Sequence, residues 1–205
     1  MVTLAEIQSA FAGHEPPRLP APREVRGRAS VAMMFAGPEE ALSLCLIRRT
    51  ERADDRWSGQ MAFPGGRADE GDANAMATAE RETLEEVGVA LQTQHYLGGL
   101  SDIPLRPVID GDNVLSPFAY YFGSTLPPLR PEPKEIAAAF WIPLSHLWSA
   151  EHLTTIDWEH RGHVRTFPGI RWGGDVIWGL THRVLCSFAE LLDAPLPAMT
   201  PPPPG

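Results

Sequence analysis

The chain is short of cysteine, of positive charge and of long apolar runs, and each shortage excludes something. Only two cysteines occur in 205 residues, Cys45 and Cys186. Both lie in apolar runs, "LSLCLI" and "VLCSFAELL", so buried free thiols are expected and a disulfide framework is not. Lysine and arginine number 17 against 26 aspartates and glutamates, a formal net charge of -9. Nucleic acids bind by releasing counterions to a basic face, so no nucleic-acid partner is expected. A small phosphate ligand stays compatible, because metal ions bridge two anionic partners. No apolar run approaches the ~20 residues that span a bilayer, so no membrane partner is expected. "MVTLAEIQSAF" lacks the basic start and apolar stretch of a signal peptide. A soluble protein in a reducing, cytoplasmic setting is the expectation.

What is present is a composition that can bury a core, 43% hydrophobic, with a length suited to one domain and extensions. "TLAEIQSAF" predicts a short helix with Thr3 as N-cap and Leu4, Ile7 and Phe11 on one side. The four prolines of "HEPPRLPAPREVRG" forbid a regular element. "DAPLPAMTPPPPG" reads as an extended tail. The chain thus divides into an N-terminal helix and proline-rich segment (residues 1–26), a folded body (27–192) and a proline-rich tail (193–205). The N-terminal segment suits either a homodimer contact or a flexible arm.

Within the body, "ASVAMMFAG" and "ALSLCLIRR" predict paired strands joined by a turn around "GPEE". "HYLGGL" and "SPFAYYFG" predict further strands, and "IAAAFWIPL" a buried one. A helix is predicted over residues 73–87, with Met76, Ala79, Leu84 and Val87 as its apolar face and Gly88 as its stop. "DVIWGLTHRVLCSFAELL" predicts a long amphipathic helix with Ile177, Leu180, Val184, Phe188 and Leu191 on one face. Strands, an internal helix and a final helix imply an α/β sandwich with a mixed sheet.

"ERETLEEVGV" holds the main chemical signal. Glu82, Glu85 and Glu86 share a helix face at the i, i+3 and i+4 spacings, and like charges so placed repel by a few tenths of a kcal/mol per pair. A solvated face would hold them as well, since glutamate favours helices. Yet the helix has no lysine, and one arginine cannot neutralise Glu80, Glu82, Glu85 and Glu86. It is preceded by "FPGGRADEGD", whose glycine pair lets backbone approach a ligand closely. A divalent ion such as Mg²⁺ or Mn²⁺ takes hard oxygen ligands, a few carboxylates with waters and phosphates, and reverses the repulsion. Arg81 stands four residues before Glu85, placed to orient it.

"GGRADEGDANAMATAERETLEEVGV", Gly65 to Val89, resembles the signature of the Nudix hydrolases. That signature runs Gly, five residues, Glu, seven residues, Arg-Glu-apolar-x-Glu-Glu-x-Gly-apolar, and Arg81, Glu82, Glu85, Glu86, Gly88 and Val89 match it in register. Asp72 replaces the first glutamate, the gap to Arg81 is one residue longer, and Thr83 stands where an aliphatic residue is usual. The longer gap, the "RET" and the preceding "GQMAFPGG" are similar to a subgroup, the coenzyme A pyrophosphatases. "KEIAAAFWIPLSHL" and "VIWGLTHRVL" resemble further segments of those proteins. The arginines of "LIRRTERADDRWSGQ" precede Gly59 at a spacing different from the subgroup's.

The resemblance implies a Nudix-like α/β/α sandwich with a mixed sheet, and metal-dependent hydrolysis of a nucleoside-diphosphate-linked small molecule. Metals in such sites polarise phosphoryl oxygens, lower the pKa of bound water and hold the attack in line. It implies Glu82, Glu85, Glu86 and the Gly66 carbonyl as ligands of Mg²⁺ or Mn²⁺, Arg81 as the group orienting Glu85, and Asp72 bound directly or through water. Glu82 and Glu135 are the candidate general bases. Arg48, Arg49, Arg52, Arg56 and Arg67 form the pool for substrate phosphates, with Arg favoured over Lys for bidentate geometry. Trp57 and Phe63 either stack on an adenine or pack in the core. The seven histidines show no metal-ligand spacing; His160 and His163 fall in a strand or turn. The leading substrate is coenzyme A or a derivative, giving 3′,5′-ADP and a phosphopantetheine. The alternatives are ADP-ribose, a dinucleotide or an oxidised nucleoside triphosphate, and a non-catalytic nucleotide-binding domain.

Overall fold

The computed structural model describes residues 2–20, 27–52, 58–105, 113–160 and 162–198. Helix α1 (Leu4–Phe11) precedes strands β1 (Arg28–Ala36), β2 (Ser43–Arg49), β3 (Met61–Ala62) and β4 (Gly65–Arg67). Helix α2 (Ala75–Val87) leads to β5 (Tyr96–Gly99), β6 (Ile103–Pro104), β7 (Val114–Tyr121) and β8 (Ile136–Pro143). A one-turn helix α3 (Leu144–Leu147), strands β9 (Leu153–His160), β10 (His163–Trp172) and β11 (Asp175–Trp178), and helix α4 (Gly179–Leu191) complete the described elements.

Strands β1 to β8 form one sheet with the path β3-β2-β1-β7-β5; β4 joins β1, β6 joins β7 and β8 joins β2. β1 and β7 run parallel from Arg28↔Val114 to Phe35↔Tyr121, and the other pairings are antiparallel, so the sheet is mixed as expected. Successive strand residues face opposite sides, and both sides of β1 are apolar. Met33 and Phe35 face α1 and α4; Ala32 and Met34 face α2. The sheet is therefore sandwiched between helices, the α/β/α arrangement.

Helix α1 carries a capping box: the Thr3 Oγ1 accepts from the Glu6 N–H while the Glu6 carboxylate accepts from the Thr3 N–H. Read from the sequence as lying outside the folded body, it packs into it. Leu4, Ile7 and Phe11 are buried, and the Phe11 ring stacks on Phe188 of α4 at 6.3 Å. Each such side chain stabilises the fold by ~1.5–3 kcal/mol. The apolar side of α1 thus faces this chain's own core. The proline-rich segment is also anchored. The buried Asp102 carboxylate accepts from Arg18, the Leu19 N–H and Ser116, with Arg28 at 3.5 Å.

Three elements differ from the sequence reading. The final helix begins at Gly179, because Asp175–Trp178 pairs with β10 as a strand, from Gly169↔Trp178 to Trp172↔Asp175. The β9–β10 hairpin was not foreseen beyond its tip at His160 and His163. β8 lies at a sheet edge with Ala137 and Pro143 exposed, so it is only partly buried. Cys45 and Cys186 are free thiols. Among the described residues no helix is long and apolar enough to cross a membrane.

Candidate active site

Strand β1 changes partner halfway along. Its first half pairs with β4, through Ala29↔Arg67, Ser30↔Gly66 and Val31↔Gly65. Its far end pairs with β2, through Phe35↔Leu44 and Ala36↔Ser43. A cleft of about 590 Å³ lies beside this divergence. Arg49 at the end of β2, Gly65 to Arg67, Glu82, Glu86 and Glu135 line it, facing an apolar wall that includes Val31, Leu105 and Leu180.

Helix α2 delivers two of the carboxylates. Asn74 caps its start, accepting from the Ala77 N–H at 2.9 Å, and Gly88 ends it in the left-handed conformation. The start is two residues later than the sequence reading. Its buried stripe is Thr78, Ala79, Thr83, Glu86 and Val87, while Leu84 is 53% exposed. Short side chains fill the stripe because β1 offers Ser30 and Ala32 beneath it, and Glu86 is turned inward. The loop before β8 satisfies the last carbonyls of α2: the Arg130 N–H donates to Val87 O at 2.8 Å and the Glu132 N–H to Glu86 O at 2.9 Å. That loop then carries Glu135 to the cleft, where the Glu135 carbonyl accepts from the Thr50 N–H.

The diglycine accommodates both carboxylates. Glu86 accepts from the Gly65 N–H at 2.8 Å. A β-carbon at Gly66 would lie 2.5 Å from the Glu82 Oε2, so only glycine admits that carboxylate. Glu86 is 2% exposed, and burial, reinforced by the Glu82 charge, pushes its pKa up to about 8 despite the Gly65 amide and Arg49 at 3.7 Å. Burial also raises the Glu82 pKa, against the pull of Arg81. A buried carboxylate held in this way is short of positive charge. The donors on offer are hard oxygens, a set that suits Mg²⁺ or Mn²⁺.

Glu85 is arranged differently. Its side chain is 58% exposed and engages Arg81 at 3.2 Å. Among the described residues no three His, Cys, Asp or Glu side chains are gathered closely enough to hold a metal ion. With Glu85 turned outward, the glutamates of the helix face reach the cleft only as Glu82 and Glu86, with Glu135 across from them.

Arg81 is the hub. Its Nε and Nη2 donate to the two oxygens of Asp72 at 2.9 and 3.0 Å, its Nη1 to Glu82 at 2.9 Å, and its Nη2 also to the Arg67 carbonyl at 3.0 Å. Asp72 further accepts from Thr78 Oγ1 and the Asp69 N–H, both at 2.9 Å. These bonds, Arg81 first, hold the Asp72 carboxyl far below the usual carboxylate range. The sequence reading offered Asp72 to a metal, directly or through water. Its oxygens accept from Arg81, which in turn donates to Glu82.

The arginine pool divides. Arg49 and Arg67 line the cleft. Arg48 pairs with Asp175 of β11 at 3.3 Å, and Arg52 is exposed outside the cleft lining. Arg56 and Trp57 lie outside the described residues, and Phe63 is packed in the core and also lines the cleft. The sequence reading missed Leu105, Asn113 and Thr181 as cleft residues and took Leu180 and Val184 for core alone. Nothing local marks them, because β6, β7 and α4 reach the cleft only in the folded chain.

Residues 25–167 match the NUDIX domain. The chain belongs to the Nudix hydrolase family. It is 34% identical to the human mitochondrial coenzyme A diphosphatase NUDT8 over 185 residues, 81% of this chain and 74% of that protein. It is 30% identical to the Nudix hydrolase NudL of Photorhabdus laumondii over 194 residues, 93% of this chain and 98% of that one. The fold matches the crystal structure of a MutT/nudix family protein from Enterococcus faecalis with a TM-score of 0.55 at 17% identity, covering 93% of this chain and 70% of that one. As a Nudix hydrolase the chain is a pyrophosphohydrolase.

The Asp72–Arg81 pair gives this Nudix hydrolase a testable dependence. Asp72→Asn is expected to lower kcat on a diphosphate substrate ~10- to 100-fold, because it loosens the Arg81 hub that holds the Glu82 carboxylate. Steady-state kinetics would check it; an unchanged kcat would mean that Arg81 keeps its place through Glu82 alone.

Proposed function

We propose that this Nudix hydrolase cleaves the diphosphate of coenzyme A or a derivative, adding water across the P–O–P bridge to release 3′,5′-ADP and a phosphopantetheine. The observation that carries the reading is the pairing of Glu82 and Glu86 across Gly65–Gly66 in a cleft that also holds two arginines and an apolar wall. The 34% identity to a coenzyme A diphosphatase supports the choice of substrate.

Glu82, Glu86 and the Gly66 carbonyl would hold Mg²⁺ or Mn²⁺, with Glu85 joining on release from Arg81. The ion would offset the charge of the diphosphate and polarise its phosphorus toward attack. The remaining work falls to the chain. Arg81 fixes the Glu82 carboxylate, and the Gly65 N–H fixes Glu86. Glu135 lines the same cleft from the loop before β8 and, with Glu82, is a candidate to take the proton of the attacking water. Arg49 and Arg67 would contact substrate phosphates.

The test is a substrate panel with Mg²⁺ or Mn²⁺: coenzyme A, an acyl-coenzyme A, ADP-ribose, dinucleotides and nucleoside triphosphates, with products identified by mass. The expected result is 3′,5′-ADP from coenzyme A. Cleavage of ADP-ribose with coenzyme A intact would overturn the substrate, and no turnover at all would leave a nucleotide-binding domain.

A further inference from the structure

We infer that Arg67 binds a phosphomonoester of the substrate separate from the diphosphate being cleaved, and so selects coenzyme A over its 3′-dephospho form; this rests on the coenzyme A reading above.

Along β4 successive residues face opposite sides, and Gly66 faces Glu82 of α2. Arg67 therefore faces the other side, which it shares with its register partner Ala29. Ala29 and Val31 pack toward the core under α4, and both line the cleft. Arg67 thus stands on the wall away from the carboxylates. Its main chain is fixed there, since the Arg67 carbonyl accepts from Arg81 at 3.0 Å.

Its charge is also uncommitted. Arg67 is exposed, and among the described residues its guanidinium has neither an ion-pair nor a hydrogen-bond partner. Arg49, the other cleft arginine, lies 3.7 Å from Glu86. Arg28, on the strand beside Arg67, is committed to Asp102 and Ser116. The two sides of the cleft hence suit two different anions. The carboxylate side accepts a phosphate only with cations between them, which fits the diphosphate. The Arg67 side accepts an anion directly, through a planar fork of donors matched to a phosphate. Coenzyme A carries such a second group, the 3′-phosphate of its ribose.

The experiment compares kcat/KM for coenzyme A and 3′-dephospho-coenzyme A in the wild type, Arg67→Gln, Arg67→Lys and Arg165→Gln, the last an exposed arginine of the β9–β10 hairpin outside the cleft. The wild type is expected to prefer coenzyme A at least ~10-fold, the scale of a charge-assisted phosphate contact. The preference should collapse to near parity in Arg67→Gln, fall part-way in Arg67→Lys and persist in Arg165→Gln, with the change carried by KM. A preference that survives Arg67→Gln, or an equal loss on both substrates, would overturn the role of Arg67 while leaving the coenzyme A reading intact. A wild type that cleaves neither compound yet cleaves ADP-ribose would overturn that reading and this inference together.

Discussion

Glu86→Gln is expected to lose at least ~10³-fold in kcat/KM on any diphosphate substrate and, in the same protein, to gain stability. The activity loss follows from removing one of the two carboxylates beside the diglycine; electrostatic stabilisation by a metal is worth several kcal/mol, and each 1.36 kcal/mol is tenfold in rate. The stability gain follows from the same burial. The ordinary glutamate pKa of 4.5 is pushed up to about 8 in the fold. A folded pKa above the unfolded one means that stability is fully present below about 4.5 and is lost as pH rises through about 8. Glutamine carries no charge, so the variant escapes that loss. With chelator present, its melting temperature should match the wild type near pH 4.5 and exceed it increasingly up to pH 8–9, by on the order of a few kcal/mol in stability. On the proposed metal role, adding Mg²⁺ should reverse the order at high pH, because the ion would stabilise only the protein that keeps the carboxylate. If Glu86→Gln were less stable than wild type at pH 8.5 without metal, the buried-carboxylate account would be wrong.

The adjacent glycines should fail in opposite ways. Gly65 has φ +144°, and a β-carbon there would run into the Ser30 carbonyl and lie 2.6 Å from Val31 Cα, both main chain of β1. Neither can retreat without breaking the β1–β4 ladder. Gly65→Ala is expected to destabilise the protein by ~2–4 kcal/mol, from an unfavourable backbone conformation and a clash in one residue. Gly66→Ala meets only the end of the Glu82 side chain, which can swing aside. It should fold with a stability within ~1 kcal/mol of wild type and lose ~10²-fold or more in kcat, because the displaced carboxylate leaves its place beside Gly66. Chemical denaturation and single-turnover kinetics on the two variants would separate the effects. A Gly66→Ala protein with full activity would remove Glu82 from the working site.

What could be read in advance was what spacing alone determines. Glu82 and Glu86 are four apart on a helix, so their sharing a face follows from 3.6 residues per turn. The N-terminal helix was legible because Thr3 and Glu6 stand at capping-box spacing. Several of the differences share a cause in long-range pairing. Residues 175–178 continue the helical spacing of Leu180, Val184 and Phe188, yet β10 claims them as a strand through a register the sequence does not display. The pairing of Arg48 with Asp175, 127 positions away, is likewise not displayed by the sequence. Leu84 was placed in the core by hydrophobicity, while the small residues of β1 admit threonines and an inward glutamate on that side of α2. Asp72 occupied the expected motif position, but its hydrogen bonds to Arg81, Thr78 and the Asp69 amide are visible only in the folded loop.

The tie between the Glu132 amide and the Glu86 carbonyl has an architectural corollary. The separation of Glu86 from Glu135 is inherited from main-chain geometry, three residues of backbone hung from a helix end. Pro131, Pro133 and Lys134 can thus be exchanged for other residues without respacing the two acids, whereas a one-residue insertion between Glu132 and Glu135 would put them out of step.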